Sequence, residues 1–287
     1  MKKIIAAAVA SAFVAPAFAA DVTVSGSQEF SWADANGTST SEIDGTIKVG
    51  ASSELPNGMS VSMSLPLSDE GGADGGANLT LSGEFGSIAM GDVSGGADSV
   101  DDVADWGFAG TTGTTDGTGT GAMDANVNWS LPTFVEGLSV NLTASAQTQN
   151  GASTGGEAEA TGYAVKYTTG MVTIGYGADD NDDGTKHTDV SLSVTMNGLT
   201  VAAETFTDKS AASVDTDYTN LGAHYSMGDT SVFVVSEKAE SAGTTAADRS
   251  VIGVHHAIGD VTFFAEQSDD SKDSTAETTY FGASYSF

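Results

Sequence analysis

The chain has 287 residues, no cysteine, and 39 acidic residues against nine basic ones, for a formal net charge of −30. A field of that sign argues against a nucleic-acid partner and favours cations at any surface or channel the chain lines, and the lack of cysteine excludes a disulfide framework. High charge and 36 glycines suit a disordered chain by composition alone, but the apolar residues recur with a clear period. Adaptation to a saline habitat accounts for the acidity as well as a selectivity role does, and the two are compatible.

Lys2 and Lys3 precede an apolar stretch from Ile4 to Val14 that is too short to span a bilayer. Ala17-Phe18-Ala19 then supplies a small-x-small cleavage site. Residues 1–19 are therefore expected to be a signal peptide, with 20–287 as the exported unit. No later apolar run approaches the roughly 20 residues of a transmembrane helix.

From there on, apolar and polar residues alternate with period two, the mark of a strand with two unlike faces. Val61-Met63-Leu65 stands against Ser60-Ser62-Ser64, and Val190-Leu192-Val194-Met196 against Ser191-Ser193-Thr195. In chain order the pattern predicts sixteen strands: 22–32, 41–53, 58–66, 77–84, 86–92, 124–131, 138–148, 159–168, 170–178, 187–196, 198–207, 217–226, 229–238, 248–258, 260–268 and 276–287. Short turns with glycine at 58, 86, 137, 170, 198, 228 and 259 introduce seven of them, because tight hairpins need a positive φ. Longer polar segments are expected at the opposite strand ends: 68–77, 150–157, 179–186, 208–215, 239–247 and 269–275.

Short turns on one side and long polar loops on the other are the asymmetry of a transmembrane antiparallel β-barrel, an all-β fold with one face in lipid and one in a polar lumen. Trp32 and Tyr176 at one rim, and Trp129, Tyr167, Tyr225, Tyr285 and Phe287 at the other, fall on the apolar parity where interfacial girdles belong. The last strand closes the pattern, with Thr279, Phe281, Ala283, Tyr285 and Phe287 on one face. This aromatic ending, Phe281, Tyr285 and Phe287, resembles the C-terminal signature by which bacterial outer-membrane barrels are recognised by their assembly machinery.

One interval breaks the spacing. Gly86 and Gly137 lie 51 residues apart, and the excess falls between Asp92 and Met123. A connection of that length in a compact fold is usually functional. The segment LSGEFGSIAMGDVSGGADSVDD, Leu81 to Asp102, resembles strands four and five and the start of loop three in the general-diffusion porins of Gram-negative bacteria. Its character is nearest to porins of purple photosynthetic bacteria and their relatives. DVTVSG from Asp21 and the terminal phenylalanine match that family as well. The resemblance implies a sixteen-stranded outer-membrane porin, passing small hydrophilic solutes and ions passively, with loop three (about 93–123) folded inward to narrow the channel. It also implies a homotrimer, contact with outer-membrane lipid and lipopolysaccharide, and assembly through periplasmic chaperones and the barrel-insertion machinery, with no cofactor required.

On that resemblance Asp92, Asp98, Asp101, Asp102 and Asp105 fall on the constriction, where carboxylates in a narrow throat concentrate cations. Strand parity places Lys48, Lys166 and Arg249 on the lumen side with Glu29, Glu42, Asp44, Glu84, Glu204 and Glu266. The family sets its acidic loop against a cluster of arginines, and this chain departs from that pattern with Arg249 as its single arginine. A net negative lumen with cation preference is the expectation.

Asp179, Asn181 and Asp183, followed by Gly184, match the first half of a calcium-binding loop. The twelfth position is Val190 rather than the bidentate glutamate, and an acidic hairpin loop fits the same residues. Calcium at the loops, or divalent bridging to lipopolysaccharide, is one reading of these residues, and a plain acidic loop is the other. His187, His224, His255 and His256 show no metal-ligand spacing, and nothing marks a catalytic nucleophile. Two rival readings are a secreted acidic β-rich adhesin or surface-layer protein, and an outer-membrane barrel enzyme.

Overall fold

The computed structural model describes residues 21–35, 37–68, 77–100, 106, 124–145, 160–182, 184–210 and 215–287. They form sixteen antiparallel strands: β1 Asp21–Ala35, β2 Thr38–Glu54, β3 Ser60–Ser68, β4 Asn78–Gly83, β5 Gly86–Ser94, β6 Asp124–Ser130, β7 Leu138–Ser145, β8 Ala160–Thr169, β9 Val172–Asn181, β10 Lys186–Met196, β11 Leu199–Lys209, β12 Asp215–Met227, β13 Thr230–Ser241, β14 Thr244–Ile258, β15 Val261–Asp270 and β16 Asp273–Ser286. Each strand pairs with its neighbours in sequence, and β1 pairs with β16 to close the barrel. Closure leaves no edge with unpaired backbone groups, which a hydrocarbon surround would not tolerate.

The strand faces run opposite to those of a soluble protein. On β10 the aliphatic side chains Val190, Leu192, Val194 and Met196 are 40–51% exposed, whereas His187, Asp189 and Ser191 are each 1% exposed. The register shows why: one residue of slip would exchange the two sets, so burial of the polar face holds the pairing in place. The aromatic residues expected at the rims, Trp32, Trp129, Tyr167, Tyr176, Tyr225, Tyr285 and Phe287, all lie on the exposed outer face. Trp129 Nε1 donates to the Phe85 carbonyl at 2.9 Å, which leaves its ring apolar side outward and its polar atom satisfied.

The seven turn glycines all have positive φ, between 59° and 92°. At the other end of the barrel the structure differs from the sequence expectation. The segments expected as long loops at 239–247 and 269–275 are mostly strand, because β13 and β14 extend to Ser241 and Thr244, and β15 and β16 to Asp270 and Asp273. Ala242 (φ 51°) and Gly243 (φ 74°) make the first of these a two-residue hairpin turn. The 179–186 segment shortens in the same way. The reason is physical: apolar alternation marks only the part of a strand that meets lipid, while backbone pairing carries the strand on through Ser, Thr and Asp.

Beyond β5 the chain makes a 3-10 turn, Ala97–Val100. Ala97 and Val100 are fully buried. They pack on the inward face of β9, at Gly175 and Gly177.

Candidate channel interior

The start of loop three is fastened to the inner wall by one side chain. Asp179, on the inward face of β9, accepts hydrogen bonds from the Gly96 and Ala97 backbone N–H groups at 3.0 and 3.3 Å. Glycines make the contact possible. A Cβ on Gly177 would lie 2.5 Å from the Ala97 Cα, and one on Gly175 would lie 2.9 Å from Val100 Cβ. Gly162, opposite Asp179 on β8, leaves the space that the carboxylate occupies. Trp106, further along the loop, packs against the inner wall at β11–β14.

The interior is two-sided. Along β9–β15 many inward side chains are buried, including Asp179, His187, Asp189, Glu204, Asp208, Asn220, Glu237, Arg249 and Glu266. Several of these groups meet a partner on a neighbouring strand. His187 Nδ1 meets Asp208 Oδ1; Arg249 lies 3.7 Å from Glu237; His255 Nε2 lies 2.8 Å from Glu266 Oε1. Tyr280 donates to Glu29 Oε1 at 3.0 Å. Along β1 and β2, by contrast, Glu42, Asp44 and Lys48 are exposed. Glu29 sits among like charges, close to Asp44, Glu266 and Glu42.

The sequence-derived site residues therefore separate into groups. Glu29, Glu42, Asp44, Lys48 and Lys166 sit at inward positions on their strands, since Phe30, Ile43, Ile47, Val165 and Tyr167 beside them are exposed on the outer face. Glu204, Arg249 and Glu266 are inward but buried. Glu84 is not on a strand wall at all. It stands in the turn between β4 and β5, because β4 ends at Gly83 and β5 begins at Gly86. Asp92 belongs to β5, next to the register shift between Met90 and Val93, and its N–H donates to the Ala77 carbonyl at 3.0 Å. Asp98 lies in the 3-10 turn. Asp101, Asp102 and Asp105 are outside the described residues.

The calcium half-motif does not converge. Asp179 points inward to loop three, Asp180 points outward to Lys186, and Asn181 donates to Thr185 Oγ1 at 2.7 Å. Positions 1 and 3 of the motif, Asp179 and Asn181, are each turned to a different protein partner, the Gly96–Ala97 backbone and Thr185, and not to one shared point as an oxygen cage needs. Asp183 is outside the described residues, and among the described residues no group of three acidic, His or Cys side chains is set to hold a metal ion.

Sequence reasoning missed both attachments of loop three. Gly175, Gly177 and Gly222 on inward strand positions were the available signal, since glycine inside a strand often marks the close approach of another backbone or ring.

The sequence profile of the Gram-negative porin family matches residues 6–287. No curated protein sequence matches the chain significantly. Among solved structures, an OmpF of Salmonella typhi in complex with daunomycin is 14% identical with a TM-score of 0.77, over 93% of this chain and 97% of its own. An anion-selective porin of Comamonas acidovorans is 15% identical with a TM-score of 0.68, over 93% and 100%. The trimer form of Vibrio cholerae OmpT is 14% identical with a TM-score of 0.73, over 94% and 100%. At these identities the likeness is one of fold, and the whole-length family match carries the classification. Closed, inverted in polarity and matched over residues 6–287, this chain belongs to the Gram-negative porins, the channel-forming barrels of the outer membrane.

Proposed function

We propose that this porin is a cation-preferring channel for small hydrophilic solutes and ions. The observation that carries the reading is the charge of the open wall. Glu42 and Asp44 are exposed there beside Glu29, with Lys48 as the exposed base on the same strand. The chain's single arginine is buried against Glu237 and sets up little field of its own. Carboxylates lining a confined aqueous path raise local cation concentration. In this reading loop three narrows the path, and Asp98, Asp101, Asp102 and Asp105 add to its negative charge.

The porin fold is compatible with either sign of selectivity, since the Comamonas relative is anion-selective. A planar-bilayer recording across a potassium chloride gradient decides. The expected reversal potential has the sign of a cation-selective pore, and an anion-selective or absent channel would refute the proposal. The trimer form of the Vibrio relative supports a homotrimer here as well. Cross-linking of detergent-extracted protein would show three copies if that is right and a monomer band alone if it is not. We place the signal-peptide cleavage after Ala19, with lipopolysaccharide, chaperones and the insertion machinery as partners and no cofactor. N-terminal sequencing of outer-membrane material tests the cleavage site.

A further inference from the structure

The inner wall carries an apolar row that a water-filled lumen does not explain. Ala202, Gly222, Val235 and Val251 stand directly opposite one another across β11, β12, β13 and β14. The three side chains are 3%, 0% and 1% exposed in chain order. Lumen faces of such barrels are ordinarily polar, and an apolar row facing water would gain by being covered. The next inward row on the same strands is Glu204, Asn220, Glu237 and Arg249, so the change from apolar to ionic is abrupt.

Trp106 of loop three covers the apolar row. It packs on the cluster of Ala202, Phe233, Val235 and Val251. Its ring lies over Gly222, where any Cβ would collide with the indole carbons. His224 flanks it, with ring centroids 5.7 Å apart and planes tilted by 49°. The seat thus draws on four strands and is shaped by the absence of one side chain.

We propose that Trp106 is a positioning residue, the second fastening of loop three, and that its seat on β11–β14 sets the width and charge bias of the channel. The inference rests on the reading that loop three narrows the pore. The first fastening is the Asp179 clamp on Gly96 and Ala97. Five residues separate Val100 from Trp106, and three of them are the aspartates 101, 102 and 105.

The test uses the full-length porin refolded in detergent and inserted in planar bilayers. Trp106→Ala removes the anchor from the loop, and Gly222→Val fills its seat from the wall. Both should raise open-channel current noise and move the reversal potential toward zero, while Trp106→Phe retains most of the wild-type behaviour. In a Trp32→Phe/Trp129→Phe background, Trp106 fluorescence should be blue-shifted and shielded from iodide, and Gly222→Val should remove both properties. Channels of Trp106→Ala and Gly222→Val indistinguishable from wild type, or free iodide access to Trp106, overturn the proposal. Asparagine at 101, 102 and 105 together tests the underlying reading separately. If that triple variant leaves selectivity unchanged while Trp106→Ala still raises noise, the anchor stands and the acidic constriction falls.

Discussion

Phe287 and Gly26 close the barrel on each other. Phe287 N–H donates to the Gly26 carbonyl and Gly26 N–H donates to the Phe287 carbonyl, both at 3.0 Å. The Phe287 ring lies over the glycine, where an added Cβ would come within 2.7 Å of its Cζ and 2.8 Å of the Thr46 carbonyl oxygen. The last residue is thus a structural part of the seam between β1 and β16, alongside its resemblance to an assembly signal.

Gly26→Val is expected to strain this seam from both sides, costing about 1–3 kcal/mol as overpacking does. The urea midpoint in detergent micelles should fall, and less protein should reach the heat-modifiable folded form on electrophoresis. An unchanged midpoint would show that the ring moves aside at no cost.

The Asp179 clamp can be broken without touching the loop. Asp179→Ala removes charge-assisted acceptors from two backbone N–H groups, each such bond contributing about 1.5–3 kcal/mol. Loop three should become accessible to added protease while the barrel stays folded. Gly177→Val should do the same by displacing Ala97. Equal proteolysis of wild type and both variants would remove the clamp from the account.

Arg249 and Glu237 are expected to matter for folding and little for selectivity. Arg249→Met leaves Glu237 buried without its guanidinium, a loss of about 3–5 kcal/mol for a broken buried pair. The further change Glu237→Gln should recover part of it. Denaturation measures the first effect. A reversal potential that moves strongly in the double variant would place this pair in the ion path after all.

On the open wall the expectation is reversed. Glu42→Gln with Asp44→Asn should shift the reversal potential toward zero with little change in stability. Wild-type selectivity should also weaken with salt, since the screening length falls from about 10 Å at 0.1 M to about 3 Å at 1 M. Reversal potentials at one concentration ratio and several absolute concentrations check this, and salt-independent selectivity would sink a mechanism based on wall charge.

Much of this architecture is legible in the sequence alone. Val190, Leu192 and Val194 announce a two-faced strand because facing is a local property of the extended chain. Gly58 and Gly198 announce hairpins because few other residues accept their φ. The polar strand ends at Ser241 and Thr244 were not legible, since neither face there meets lipid. Glu84 was misplaced for a related reason: parity continues on paper through a turn that the backbone has already begun.

What the sequence by itself determined is the barrel: its strand number, its closure on Phe287 and its inverted polarity, all of which follow from patterns a few residues long. What only the tertiary structure decided is the interior. Asp179 reaches Gly96 across 83 residues of chain, Trp106 packs on residues drawn from β11 to β14, and Arg249 is buried 3.7 Å from Glu237. No local pattern encodes which inward side chains are covered and which stay in water, because that depends on where one loop lies against a wall built from the rest of the chain.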